Sequence, residues 1–263
     1  MINYKRYIAV ILLVFYTSLS FCQDDKSFDS KFFIHHSDTL NYRILMPKNF
    51  DASKQYPVVL MLHGAGERGS DNIAQLTHGS KLFTTKESRR HFQSIVIFPQ
   101  CPKDSYWANV QIDRSSNPLV INFPSNTTPT KPMALVMALL DDMVLKSYVN
   151  KNQIYVGGLS MGGMGTFEIL YRKPELFAAA IAICGAGNPE NTKEYAKSTP
   201  LWVFHGANDN VIDPQESLNM VSGILKYGGK PNFTLYAKDN HNSWDSAFAE
   251  PELLSWLFSN IKN

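Results

Sequence analysis

The sequence predicts an α/β fold, a mostly parallel sheet with helices on both faces, and three observations predict it. Short apolar runs recur at Pro57–Leu62, Ser94–Phe98, Ile154–Val156, Phe177–Cys184 and Leu201–Phe204. Continuous runs of this kind suit strands buried on both faces. Stretches with helical spacing lie between them, and strands alternating with helices build a parallel sheet. The residues with chemical promise fall just after the runs, where open parallel sheets bind their ligands.

The first 22 of the 263 residues stand apart. Lys5 and Arg6 precede the apolar run Tyr7–Tyr16, and small residues stand at Ser20 and Cys22. This is the pattern of a secretory signal cleaved near Cys22/Gln23, for export to the periplasm or beyond. The run is shorter than the roughly 20 apolar residues that span a bilayer, so no transmembrane segment is expected in the mature chain, residues 23–263. A lipid anchor on Cys22 is the competing reading, and the bulk of Phe21 argues against it. Cleavage would remove two basic residues and no acid, taking the formal charge from +2 to 0. A neutral chain has no electrostatic case for nucleic acid or anionic membranes.

The remainder reads as one domain. Residues 23–30 are polar and suggest a leader. Lys31–His36 and Asn41–Met46 predict a hairpin at a sheet edge, turned at Ser37-Asp38-Thr39. The strand Pro57–Leu62 runs into His63-Gly64-Ala65-Gly66. A helix is expected around Ile73–Phe83, then the strand Ser94–Phe98. Residues 103–131, rich in Asn, Ser, Thr and Pro, read as an irregular lid or substrate loop. Trp107 near its start is a candidate aromatic platform for substrate, with a packing anchor as the alternative. Helices are expected over Met133–Tyr148, Pro214–Tyr227 and Glu252–Ile261, and a last strand over Asn232–Ala237. Cys101 and Cys184, too few for a disulfide framework, read as buried free thiols.

Ser160 lies in Gly158-Leu159-Ser160-Met161-Gly162, between the run Ile154–Val156 and a helical stretch. A G-x-S-x-G placed so puts the serine on a sharp strand-to-helix turn. A serine hydroxyl needs an imidazole to take its proton and a carboxylate to fix that imidazole. Asp209 stands just past the strand ending at Phe204, and His241 just past the strand ending at Ala237, giving the order serine, acid, histidine. Asp213 is the alternative acid, but before Pro214 it looks like a helix cap. His205 and His63 read as structural histidines of their turns. The tetrahedral intermediate of acyl transfer needs donors, expected from the backbone N–H of Met161 and of Ala65, with Gly64 as alternative to Ala65. Bulky residues at Gly64 or Gly66 should therefore disturb the site. No His, Asp and Glu group has metal-ligand spacing, so neither a metal nor a cofactor is expected.

These residues carry a resemblance. His63-Gly64-Ala65-Gly66-Glu67-Arg68-Gly69, the serine motif through Gly163, Ile183-Cys184-Gly185-Ala186-Gly187, His205-Gly206-Ala207-Asn208-Asp209 and His241-Asn242-Ser243-Trp244-Asp245 resemble the α/β-hydrolase superfamily. Within it the chain is similar to secreted bacterial acetyl xylan and feruloyl esterases and to a related group of predicted peptidases. The resemblance implies Ser160 as nucleophile, Asp209 as acid and His241 as base. It also implies a small-molecule or carbohydrate ester as substrate, including acyl groups on plant polysaccharide, with a serine peptidase as the alternative.

Overall fold

The computed structural model describes residues 27–125 and 127–262; the expected signal segment, residues 1–22, lies outside them. In chain order the strands are β1 (Asp29–His35), β2 (Asp38–Leu45), β3 (Tyr56–Leu62), β4 (Ile95–Pro99), β5 (Gln111–Asp113), β6 (Val120–Asn122), β7 (Val149–Leu159), β8 (Ala179–Ile183), β9 (Leu201–Gly206) and β10 (Asn232–Tyr236). The helices are α1 (Ser80–Thr84), α2 (Lys86–His91), α3 (Lys131–Met143), α4 (Met161–Arg172), α5 (Pro214–Lys226), α6 (Trp244–Phe248) and α7 (Leu253–Ser259). Among the described residues, eight strands form one sheet in the order β1-β2-β4-β3-β7-β8-β9-β10. Pairing is parallel from β4 across to β10. β1 and β2 attach antiparallel at one edge, the hairpin expected there.

Side chains alternate across a strand, and β3 shows the result. Val58, Leu60 and Leu62 join the cluster that includes Met133 of α3, Phe167 of α4 and Met220 of α5. Val59 and Met61 join the opposite cluster with Phe83 of α1 and Leu253 of α7. Burying each such side chain contributes about 1.5–3 kcal/mol. A strand buried on both faces cannot alternate with polar residues, which is why β3 reads as a continuous apolar run.

Three segments depart from the sequence expectation. The helix expected over Ile73–Phe83 is interrupted because Gly79 takes φ +83° ahead of α1. Residues 74–76 form only a 3-10 turn, and Thr85 begins α2 by accepting from the Ser88 N–H. The leader expected over residues 23–30 docks sooner: β1 begins at Asp29, and Phe28 is buried with its ring at right angles to Phe98, centroids 5.4 Å apart.

The third departure is the stretch 103–131, which contains a small hairpin. β5 and β6 pair antiparallel with Ile112 opposite Ile121. Leu119 and Ile121 pack on a third apolar cluster, Ala108, Met164, Ala186 and Ile212. The Leu119 N–H also donates to Val211 O at 2.9 Å, tying the hairpin to the loop after β9.

Candidate active site

The corner between β7 and α4 is set by close backbone approach. A Cβ on Gly158 would lie 2.2 Å from Gly162 O, and one on Gly162 would lie 1.9 Å from Leu62 O. Between them Ser160 takes φ 52° and ψ −116°, a conformation that costs about 1–3 kcal/mol. Its N–H donates to Ile183 O at 2.9 Å, so the neighbouring strand holds the strained residue in place.

Asp209 and His241 come together because β9 and β10 are parallel neighbours and end at the same sheet edge. Their loops are cross-tied. The Asn208 N–H donates to Asp239 O at 2.9 Å, and Asn240 Oδ1 accepts from Asn210 N–H at 3.1 Å and from His241 N–H at 2.7 Å. His241 Nδ1 then lies 2.8 Å from Asp209 Oδ2, and His241 Nε2 lies 2.9 Å from Ser160 Oγ. Asp213, the alternative acid, caps α5 by accepting from Gln215 N–H at 2.8 Å.

Burial alone would raise the Asp209 carboxyl. Hydrogen bonds from His205 and His241 outweigh it and hold the group well below the usual carboxylate range. An ionised Asp209 can only accept, so His241 carries its proton on Nδ1 and leaves Nε2 free to accept the Ser160 hydroxyl proton. His205 is fully buried, and its Nε2 faces two acceptors, Asp209 Oδ2 and Ile212 O, both at 3.1 Å. That nitrogen is therefore a donor, and His205, expected as a structural histidine of this turn, braces the acid. Asp209 Oδ1 accepts the N–H groups of Val211 and Ile212 at 2.9 and 3.0 Å, completing its set of donors.

Cys184 Sγ, an Asp209 oxygen and a His241 nitrogen lie within 4.8 Å of one another. Burial pushes the Cys184 thiol far above its ordinary range, and the acid and histidine already bond each other. The cluster is thus a protonated thiol packed behind a hydrogen-bonded pair. Cys101, also buried and free, is pushed up to about 12, chiefly by burial.

Trp107 departs from the expected platform. It is fully buried, and its indole N–H donates to His63 O at 3.1 Å. A Cβ on Gly165 would lie 2.5 Å from Trp107 Cβ, so α4 presses directly on it. Trp107 is the packing anchor that holds the turn after β3. His63 completes that turn, with its Nδ1–H donating to Gly64 O at 2.7 Å and its Nε2 accepting the Cys101 N–H at 2.9 Å. Gly64 is tight, since a Cβ there would meet Leu159 Cδ1 at 2.9 Å, whereas the corresponding space at Gly66 is open. A Cβ at Gly64 presses on side-chain ends that can move and one at Gly66 meets nothing, so the expected damage from bulky residues at either position would come from the atoms beyond Cβ.

The His63 arrangement makes stability depend on pH. Burial pushes its imidazole from 6.5 down to about 4, so the unfolded chain takes up the proton first. Its contribution is full above about pH 6.5 and is lost as pH falls towards 4, by up to about 3 kcal/mol. Urea unfolding measured from pH 7 to pH 4 should show this slope, and His63→Gln should flatten it. An equally steep slope in the variant would assign the effect elsewhere.

A cleft of about 240 Å³ opens over Ser160 and His241, with Ala65 and Met161 on its lining. The lining includes the aliphatic Ile112, Leu119, Met164, Val211 and Ile212 and the polar or aromatic Glu67, His78, Tyr106, Arg114 and Trp244. Sequence reasoning missed these walls. Ile112 and Leu119 lie in a hairpin with three-residue strands, too short for a periodic signal. Trp244 was within reach, three residues beyond His241.

A model of the phospholipase/carboxylesterase family matches residues 49–251. Lysophospholipase-like protein 1 of Mus musculus is 26% identical over 216 residues, 77% of this chain and 86% of that protein. A segment of a bifunctional acetylxylan esterase/xylanase of Neocallimastix patriciarum is 30% identical over 97 residues, 37% of this chain and 14% of that protein. The crystal structure of a thermostable esterase superposes with a TM-score of 0.80 at 32% identity, covering 90% of this chain and 64% of that one. With strand order, corner and match agreeing, the chain belongs to the phospholipase/carboxylesterase family, an esterase on the α/β-hydrolase fold.

Proposed function

We propose that the protein is a serine esterase that works through an acyl-enzyme and removes short acyl groups from plant polysaccharide esters. The carrying observation is the relay from Ser160 Oγ to His241 Nε2 at 2.9 Å and from His241 Nδ1 to Asp209 Oδ2 at 2.8 Å. His241 takes the Ser160 proton as Oγ attacks the ester carbonyl, and Asp209 stabilises the imidazolium that forms. The oxyanion rests on the N–H groups of Met161 and Ala65. Met161 opens α4, and the first N–H groups of a helix have no acceptor within it. His241 then protonates the leaving alcohol, and water repeats the sequence to release the acid.

The size of the cleft supports a short acyl group, because about 240 Å³ lies below the roughly 300–1,000 Å³ of drug-sized ligand sites. The partial match to an acetylxylan esterase supports the polysaccharide alcohol. Export through the segment 1–22 would deliver the enzyme to such polymers. Amide cleavage is the alternative at the same triad, and it needs prior protonation of a poorer leaving group.

Protein lacking residues 1–22 should hydrolyse acetyl esters in preference to matched butyryl, octanoyl and feruloyl esters, and a fluorophosphonate should label Ser160. Labelling without turnover of any ester, alongside cleavage of an anilide with the same acyl group, would replace this reading with the peptidase one.

A further inference from the structure

We propose that Glu67, His78 and Trp244 form a subsite for a sugar ring, the alcohol half of the ester that Ser160 attacks. This rests on the esterase reading above and goes beyond it by assigning the alcohol to one wall of the cleft.

His241 must protonate the departing oxygen, so the alcohol lies against whatever flanks that imidazole. The flanking group is Trp244, half-buried on the cleft wall, its ring 5.4 Å from His241 at 84° and 5.1 Å from His78 at 48°. In contact with both imidazoles, the indole brings an apolar ring to the cleft, the kind of surface on which the C–H face of a sugar packs.

Glu67 supplies the polar complement. Its side chain is only 13% exposed, yet its carboxylate accepts no hydrogen bond of normal length from the described residues. His78 Nε2 stands 3.7 Å from Glu67 Oε1, beyond hydrogen-bonding reach. A Cβ on Gly64 would sit 3.0 Å from Glu67 Oε2, so the carboxylate hangs over the turn that borders Ser160. A nearly buried carboxylate with open lone pairs calls for donors, and vicinal hydroxyls provide them. His78 beside it offers a ring nitrogen to a hydroxyl's oxygen or hydrogen.

The aliphatic part of the lining has the reverse chemistry. Ile112, Leu119, Met164, Val211 and Ile212 offer a hydroxylated ring no side-chain hydrogen bond and suit the acyl group, while Arg114 and Tyr106, also on the lining, bond each other at 2.8 Å. A choline headgroup would also accept a carboxylate and an aromatic face. It is disfavoured because cation recognition gathers several aromatic faces around the charge, and of the cleft's two larger rings Tyr106 already carries the Arg68 guanidinium, 4.7 Å from its centroid, leaving one indole.

The test compares kcat/KM for acetylated xylo-oligosaccharide with kcat/KM for p-nitrophenyl acetate, whose alcohol has no hydroxyl to donate once esterified. In Glu67→Ala and Trp244→Phe the sugar-to-aryl ratio should fall about tenfold or more, chiefly through KM. Glu67→Gln, which keeps an acceptor, should recover part of it. Xylotriose should inhibit aryl acetate hydrolysis competitively, with a Ki about tenfold higher in Glu67→Ala.

A ratio within twofold of wild type in both variants overturns the subsite. So does inhibition by glycerophosphocholine without inhibition by xylotriose, or wild-type protein that cleaves the aryl ester but no sugar ester. Failure of the underlying esterase reading is seen separately, as aryl acetate turnover that survives Ser160→Ala.

Discussion

Ser160→Ala should lower kcat for p-nitrophenyl acetate by about 10⁴- to 10⁶-fold and leave KM and the melting temperature near wild type. Only the hydroxyl is removed. The strained corner, the cleft and the His241–Asp209 bond at 2.8 Å remain. The residual rate would come from substrate held beside the N–H groups of Met161 and Ala65, each worth about 10²–10³ in turnover at such sites. Asp209→Asn probes the same relay from its far end. An amide there can offer its N–H to His241, permitting the tautomer that protonates Nε2 and blocks it as a base, so a loss of about 10⁴ is expected. A decrease of less than 100-fold in Ser160→Ala, with fluorophosphonate labelling elsewhere in the chain, would show that another group carries the chemistry.

Gly162→Ala should be among the most damaging single changes to the fold. The added Cβ would lie 1.9 Å from Leu62 O and 2.8 Å from His63 O. These are backbone atoms of a central strand and of the turn after it, with no flexible side chain to yield. The substitution must push α4 off β3 or break the corner at Ser160, and a cost of about 4 kcal/mol or more follows. In a domain of this size that lowers the melting temperature by about 8 °C or more. Gly66→Ala is the control, since no atom lies within 4 Å of its Cβ position; its melting temperature should stay within about 2 °C of wild type. Equal melting temperatures for the two variants would mean that the corner relaxes far more easily than its geometry implies.

The meeting of Ser160, Asp209 and His241 was legible in the sequence because each follows an expected strand. In a parallel sheet those strands end at one edge, so spacing along the chain converts into proximity. His205 and His63 were legible as turn residues for the same reason, although nothing in the chain shows that the first braces Asp209 or that the second binds Cys101. Trp107 and Trp244 were harder to place. Trp107 stands in a polar stretch and looks exposed, yet α4 at Gly165 covers it. Trp244 looks like part of a histidine motif, yet it lines the cleft. Burial of a single large side chain is decided by what packs across from it, and local composition is silent on that. The break at Gly79 illustrates another limit. The apolar spacing from Ile73 to Phe83 is helical, and one residue at positive φ cuts the path without altering the pattern. The hairpin in residues 103–131 was hidden because three-residue strands carry no period.

That hairpin has a bearing on how such an enzyme diversifies. β5 and β6 belong to a sheet of their own, and the hairpin rests on the small cluster of Ala108, Met164, Ala186 and Ile212, apart from the two clusters that hold the main sheet. Ile112 and Leu119 nevertheless reach the cleft. Substitutions there alter which esters enter while the burden on stability falls on a minor cluster. Evolution can therefore rewrite the guest list at the door without rebuilding the house, and a designer grafting hairpins onto this framework has the same freedom.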